Sequence, residues 1–176
     1  MLSISNTGDF LKVLKTLLER EAGERALVIY EGDDEPQDKV KPVIILPMPS
    51  IFETSWSDDG RHQDALEISV LVRVPKNISD SSVQCLNVAG FIRGLMTGQV
   101  YQDYIDVDSD HVDEPEDLSG FPLKWDTNAH GYEVSFNQNV RYGTVDIEPF
   151  KLVGIDLKEQ EGEAVRIYEC TRSSHF

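Results

Sequence analysis

The sequence predicts an α+β fold: a mainly antiparallel sheet with two helices packed on one face and a long projecting hairpin. Three observations carry this. Residues of about 7–23 and 80–98 repeat apolar side chains at helical spacing. Several other stretches alternate apolar and polar residues, as half-buried strands do. The strands come in groups joined by polar turns, which suits hairpins better than helix-linked crossovers. At 176 residues the chain is long enough for a substantial core. We expect one domain over 1–176, with an acidic insertion at about 103–130 and a C-terminal hairpin at about 151–171.

The first helix begins after cap-type residues in "SNTGDFLKVLKTLLEREAGER". Phe10, Leu14, Leu17 and Leu18 form its apolar stripe, and Gly23 marks its end. "RALVIYEGD" reads as a strand closed by Gly32. "KPVIILPMPSIF" reads as a strand edged by Pro42, Pro47 and Pro49, since proline cannot donate to a sheet ladder. "ETSWSDDGRHQD" is expected to be a polar connection, with Asp59-Gly60 as its turn signal. In "ALEISVLVRVP", Leu66, Ile68, Val70, Val72 and Val74 alternate with Glu67, Ser69, Leu71 and Arg73. That is a strand with one face in the core. Together, residues 43–74 suggest a long antiparallel hairpin.

The second helix starts near Asp80 or Ser81. Val83, Leu86, Ala89, Gly90, Ile92 and Leu95 approximate its inward stripe, and Gly98 stops it. Gly90 and Gly94 each cost about 1 kcal/mol against alanine in a helix, and we expect close packing on a sheet to offset that. A short strand is possible over 100–105. The rest of the stretch to residue 130 reads as a long polar loop. "YEVSFNQNVRYG" returns to alternation, with Tyr132, Val134, Phe136, Gln138 and Val140 on one face. "TVDIEPFKLVGIDLKE", interrupted at Pro149, and "EAVRIYECTR" read as two last strands.

Charge excludes several functions. Sixteen basic residues against 32 acidic ones give a formal charge of −16. A protein that grips nucleic acid by neutralising phosphates needs clustered Lys and Arg, and an anionic membrane would repel this chain for the same reason. The acidic excess peaks in "DVDSDHVDEPED", residues 106–117, where Asp106, Asp108, Asp110, Asp113, Glu114, Glu116 and Asp117 form a candidate acidic surface. As a calcium loop this segment fails. Asp106, Asp108 and Asp110 fit positions 1, 3 and 5, but His111 replaces the turn glycine and Asp117 the bidentate glutamate.

The four histidines lack zinc-ligand spacing, no glycine-rich stretch cradles phosphate, and no serine sits in a nucleophile elbow. Cys85 sits in an apolar helical pattern and reads as a core residue. We therefore expect no catalytic residues, metal or cofactor. No charged-then-apolar leader opens the chain, and no apolar run reaches membrane-span length. Trp56 and Arg61 lie in the connection between two strong strands, with Phe52 just before it. Trp and Arg are favoured as interface anchors, so these three are candidate subunit contacts. Trp125 is expected to tether the acidic insertion to the body.

"FLKVLKTLLER", "KPVIILPMPS", "DALEISVLVRVPKNISDSSVQCLNVAGFIRGLM" and "GYEVSFNQNVRYGTVDIE", in that order, resemble the small tail terminator (tail completion) proteins of tailed bacteriophages. The resemblance is one of pattern and covers about residues 7–150. It implies a structural virion protein in the neck region, assembled in the host cytoplasm. Such a protein forms a ring, typically a hexamer, that caps the tail tube and meets the head-side connector. The insertion and the C-terminal hairpin depart from the short members of the family. On this reading the acidic excess lines a lumen through which DNA slides without binding. An acidic adaptor or DNA mimic occupying a basic protein is the alternative, as is another neck or tail protein.

Overall fold

The computed structural model describes residues 4–34, 41–101, 103–104, 111–125, 127–143, 154–157 and 165–169. The chain divides into two compact units, Met1–Val145 and Asp146–Phe176.

In the first unit the order is α1 (Thr7–Ala22), β1 (Leu27–Tyr30), β2 (Val43–Leu46), β3 (Ser50–Trp56), β4 (His62–Pro75), α2 (Ser81–Met96), β5 (Glu116–Leu123) and β6 (Ala129–Tyr142). These strands make a six-stranded sheet whose main path runs β1-β2-β4-β6-β5, with β3 also on β4. All pairs are antiparallel except β1 with β2. The sheet is built on β4 and β6, each 14 residues long. They pair residue for residue from His62↔Tyr142 to Pro75↔Ala129. On the outer side of β4, β2 pairs at residues 71–73 and β3 at 62–67. Two prolines break what would otherwise be one strand, because Pro47 and Pro49 remove ladder donors between them. On the outer side of β6, β5 covers 131–137 and Val112 bridges to Val140.

Both helices lie on one face. Phe10, Val13, Leu14, Leu17 and Leu18 of α1 join the even-numbered residues 66–74 of β4 and Val134, Phe136 and Val140 of β6 in one core. Burying each large side chain contributes about 1.5–3 kcal/mol. Asn6 caps α1 by accepting from the Asp9 amide at 3.0 Å, and Gly23 ends it at φ +55°. The other face carries a smaller apolar cluster of Ile29, Val43 and Ile45, covered by Leu27, Leu71 and Trp125. Trp125 thus ties the β5–β6 connection to the body. A Cβ on Gly131 would stand 2.6 Å from the Trp125 ring, so only glycine admits it there.

The structure corrects four sequence readings. Residues 53–56 are strand, not connection: Glu53 to Trp56 pair with 62–65. Part of the expected loop is β5, whose pairing with β6 no periodicity announced. The described residues between 99 and 104 form no strand, and Tyr101 and Tyr104 are buried there instead. The inward stripe of α2 is Cys85, Ala89, Ile92 and Met96, while Val83 and Leu86 face out. With that rotation, a Cβ on Gly90 or Gly94 would meet nothing within 4 Å. The two glycines therefore do not serve packing on this sheet.

The second unit contains an antiparallel pair, β7 (Gly154–Leu157) and β8 (Val165–Glu169). The expected interruption at Pro149 lies outside the described residues.

Candidate functional site: an acidic sheet end and an apolar edge

One end of the β4–β6 pair gathers most of the residues singled out in the sequence. The turn 57–61 joins β3 to β4 at this end and is held by its own side chains. The Ser57 amide donates to the Arg61 carbonyl at 2.8 Å, and Gly60 turns the chain at φ +80°. Ser57 Oγ donates to Asp59 Oδ1. Arg61 points inward, only 5% exposed, and its Nε donates to Asp59 Oδ2 at 2.8 Å. This is a departure from the expected surface anchor: the Arg61 guanidinium braces the turn rather than presenting itself to a partner. That guanidinium, with the Ser57 hydroxyl, holds the Asp59 carboxyl well below the usual carboxylate range.

Beside the turn, residues 111–113 run along β6. Arg141 donates its amide to the His111 carbonyl at 2.6 Å, and its own carbonyl faces His111 Nδ1 at 2.9 Å. The same Nδ1 lies 3.4 Å from Arg61 Nη1. The Arg141 side chain grips Asp113 in a fork, Nη1 to Oδ1 at 2.7 Å and Nη2 to Oδ2 at 2.9 Å. Asp58, Asp59, Asp113, Glu114, Trp56 and Arg141 are among the residues around a cleft of about 750 Å³ here. Glu114, Glu116 and Asp117 are exposed, and Asp117 accepts from Asn137 Nδ2 at 2.9 Å. Asp106, Asp108 and Asp110 lie outside the described residues. Both arginines of the cleft are thus spent on carboxylates of their own chain. What the end presents is acid.

Behind the cleft sits a buried carboxylate that sequence reasoning missed. Asp64, 4% exposed, accepts from Thr54 Oγ1 at 2.7 Å and from Tyr142 Oη at 2.9 Å. Tyr142 has one proton and gives it to Asp64, so Thr7 donates into the phenol oxygen at 2.9 Å. Burial chiefly, with the hydrogen bond to Asp64 and its charge, pushes the Tyr142 hydroxyl well above its ordinary range, against the Thr7 hydrogen bond. The alternation that places Asp64 among inward residues, two before Leu66, was the available signal.

The second surface is β3 with the 47–49 link that leads into it. Met48, Ile51, Phe52 and Trp56 are 87%, 52%, 58% and 74% exposed. Phe52 occupies a bulge between Ile51 and Glu53, and Trp56 stands edge-on to His62 at 5.9 Å. Among the described residues no strand pairs with the outer side of β3. An uncovered apolar edge of this kind is a template for association.

Comparison with known proteins adds little. No family model matches the chain, and no curated protein matches it. One solved structure that is similar to it covers 76% of this chain and 96% of its own, at 16% identity and a TM-score of 0.47. Likeness at that level carries no argument. No described helix is long and apolar enough to cross a membrane.

Proposed function

We propose that the protein is a structural virion component, a tail terminator that assembles as a ring, caps the tail tube and meets the head-side connector. The observation that carries the assembly part is the uncovered apolar edge of β3, with Phe52 and Trp56 exposed on a chain of net charge −16. A strongly acidic domain gains solubility from its charge and has no use for four exposed large apolar side chains on one edge unless a defined surface covers them. The sequence resemblance supplies the virion context. The acidic sheet end, its arginines already satisfied internally, suits a lumen that repels phosphates.

Light scattering on a sizing column, with electron micrographs of the same peak, tests this. The expected result is a multi-chain species seen as closed rings, which seats on the ends of purified tail tubes. A chain that stays single and ignores tube ends defeats the proposal.

The same acidic end favours a second reading, an adaptor that mimics nucleic-acid charge and occupies a basic protein. That protein would remain small and would displace DNA from its partner in a competition assay.

A further inference from the structure

We infer that the β3 edge of one copy docks on the cleft between α1 and α2 of the next, with Phe52 as the inserted side chain and Glu53 pairing with Arg25. This rests on the ring reading and supplies its contact.

The cleft lies between the last turn of α1 and the middle of α2. Ala22, Ala26, Ile44, Val88 and Phe91 line it, its volume is about 160 Å³, and Arg25 stands at its rim. An apolar cavity of about 150 Å³ holds a benzene ring, so one phenylalanine side chain suits this one. Phe52 does not fill the cleft of its own copy, since it is 58% exposed. Beside the cleft, α2 shows Val83 and Leu86 to the outside, at 53% and 56% exposure. Its Gly90 and Gly94 are open to approach.

Charge selects a second copy as the occupant. Arg25 gives two of its five donors to backbone oxygens, Nη2 to Glu21 O at 2.7 Å and Nε to Ala22 O at 3.2 Å, and it lies over the Phe91 ring. Among the described residues Arg25 forms no ion pair with a carboxylate. In a chain with twice as many acids as bases, such an arginine lining an apolar cleft makes an acceptor for an apolar-plus-acidic edge. The β3 edge is that: Phe52 is followed by exposed Glu53, with Asp58 nearby in the turn. Knob and cleft occupy different parts of the molecule. One contact therefore leaves a free knob on one copy and a free cleft on the other, so the association is head-to-tail and ends only by closing into a ring.

Glu53→Arg and Arg25→Glu test it, because both positions are exposed, and recovery in the mixture separates loss of the contact from loss of the Arg25 bonds to the end of α1. Full-length chains are compared by light scattering over a concentration series, with circular dichroism to confirm folding. Each variant alone should associate at least about tenfold more weakly than wild type. An equimolar mixture should recover the wild-type mass, since each partner offers what the other lacks. Phe52→Ser should lose association without a change of charge. Variants that keep the wild-type mass overturn this contact while leaving ring formation intact. A wild-type chain that stays single at every soluble concentration overturns the self-contact, and binding to tube ends then decides the ring reading separately.

Discussion

Asp64 shows how one side chain holds three elements. It receives hydroxyl protons from β3 and β6, and through Tyr142 it is linked to the start of α1. Asp64→Ala leaves the half-buried Tyr142 hydroxyl without its acceptor and frees the exposed Thr54 hydroxyl to water. We expect a loss of about 1–3 kcal/mol, read from urea unfolding, and a smaller one for Asp64→Asn, which keeps an acceptor. A loss for Asp64→Ala below about 1 kcal/mol would refute the linkage. Asp59 has the opposite exposure but a clear electrostatic role. Its carboxyl is lowered by Arg61. A group lowered in the folded state adds stability above its unfolded value, about 3.9, and loses it as pH falls through the folded one. Acid below about pH 4 should therefore loosen the turn 57–61. Carbon NMR should show Asp59 titrating below the free aspartate range in wild type and within it in Arg61→Gln; an unchanged midpoint counts against the pairing.

At the scale of elements, Gly131 and Trp125 make the sharpest case. Gly131→Ala forces a Cβ to within 2.6 Å of the indole and 3.2 Å of the Leu123 carbonyl. The ring must lift off the Ile29, Val43 and Ile45 cluster, at about 1–3 kcal/mol. In a Trp56→Phe background the Trp125 fluorescence should shift to the red; an unmoved spectrum with full stability would show that the ring has room to give. This contact was half legible. An aromatic in an otherwise polar stretch pointed to a tether, but nothing local named the glycine two strands' turn away as its seat. The same contrast runs through the fold. The strict alternation of Leu66 to Val74 read correctly because one face is buried along its whole length. The strand at 116–123 did not, because both its faces are largely exposed and its place is set by β6. Likewise 53–56 is held by cross-strand pairing, not by any apolar pattern. For α2, apolar residues on two faces left its rotation open. Burial chose Cys85 and Ala89 over Val83 and Leu86.

For the whole molecule, the surface divides by chemistry. Acid collects at the end where the turn 57–61 meets residues 111–117, apolar side chains collect on the β3 edge, and Arg25 lines the cleft beside α2. The sequence alone disclosed the acid and flagged Trp56 and Phe52. It could not disclose that Arg61 turns inward or that Arg25 does not, since both depend on which carboxylate the fold brings near. The long β4–β6 pair also has a mechanical meaning. Its ladder is continuous, and residues 62 and 129 lie at opposite ends of it. Tension drawn lengthwise between those ends must shear every rung together, whereas tension across one end opens the rungs in turn. A protein set lengthwise along a line of pull would carry its load on the strongest axis it has.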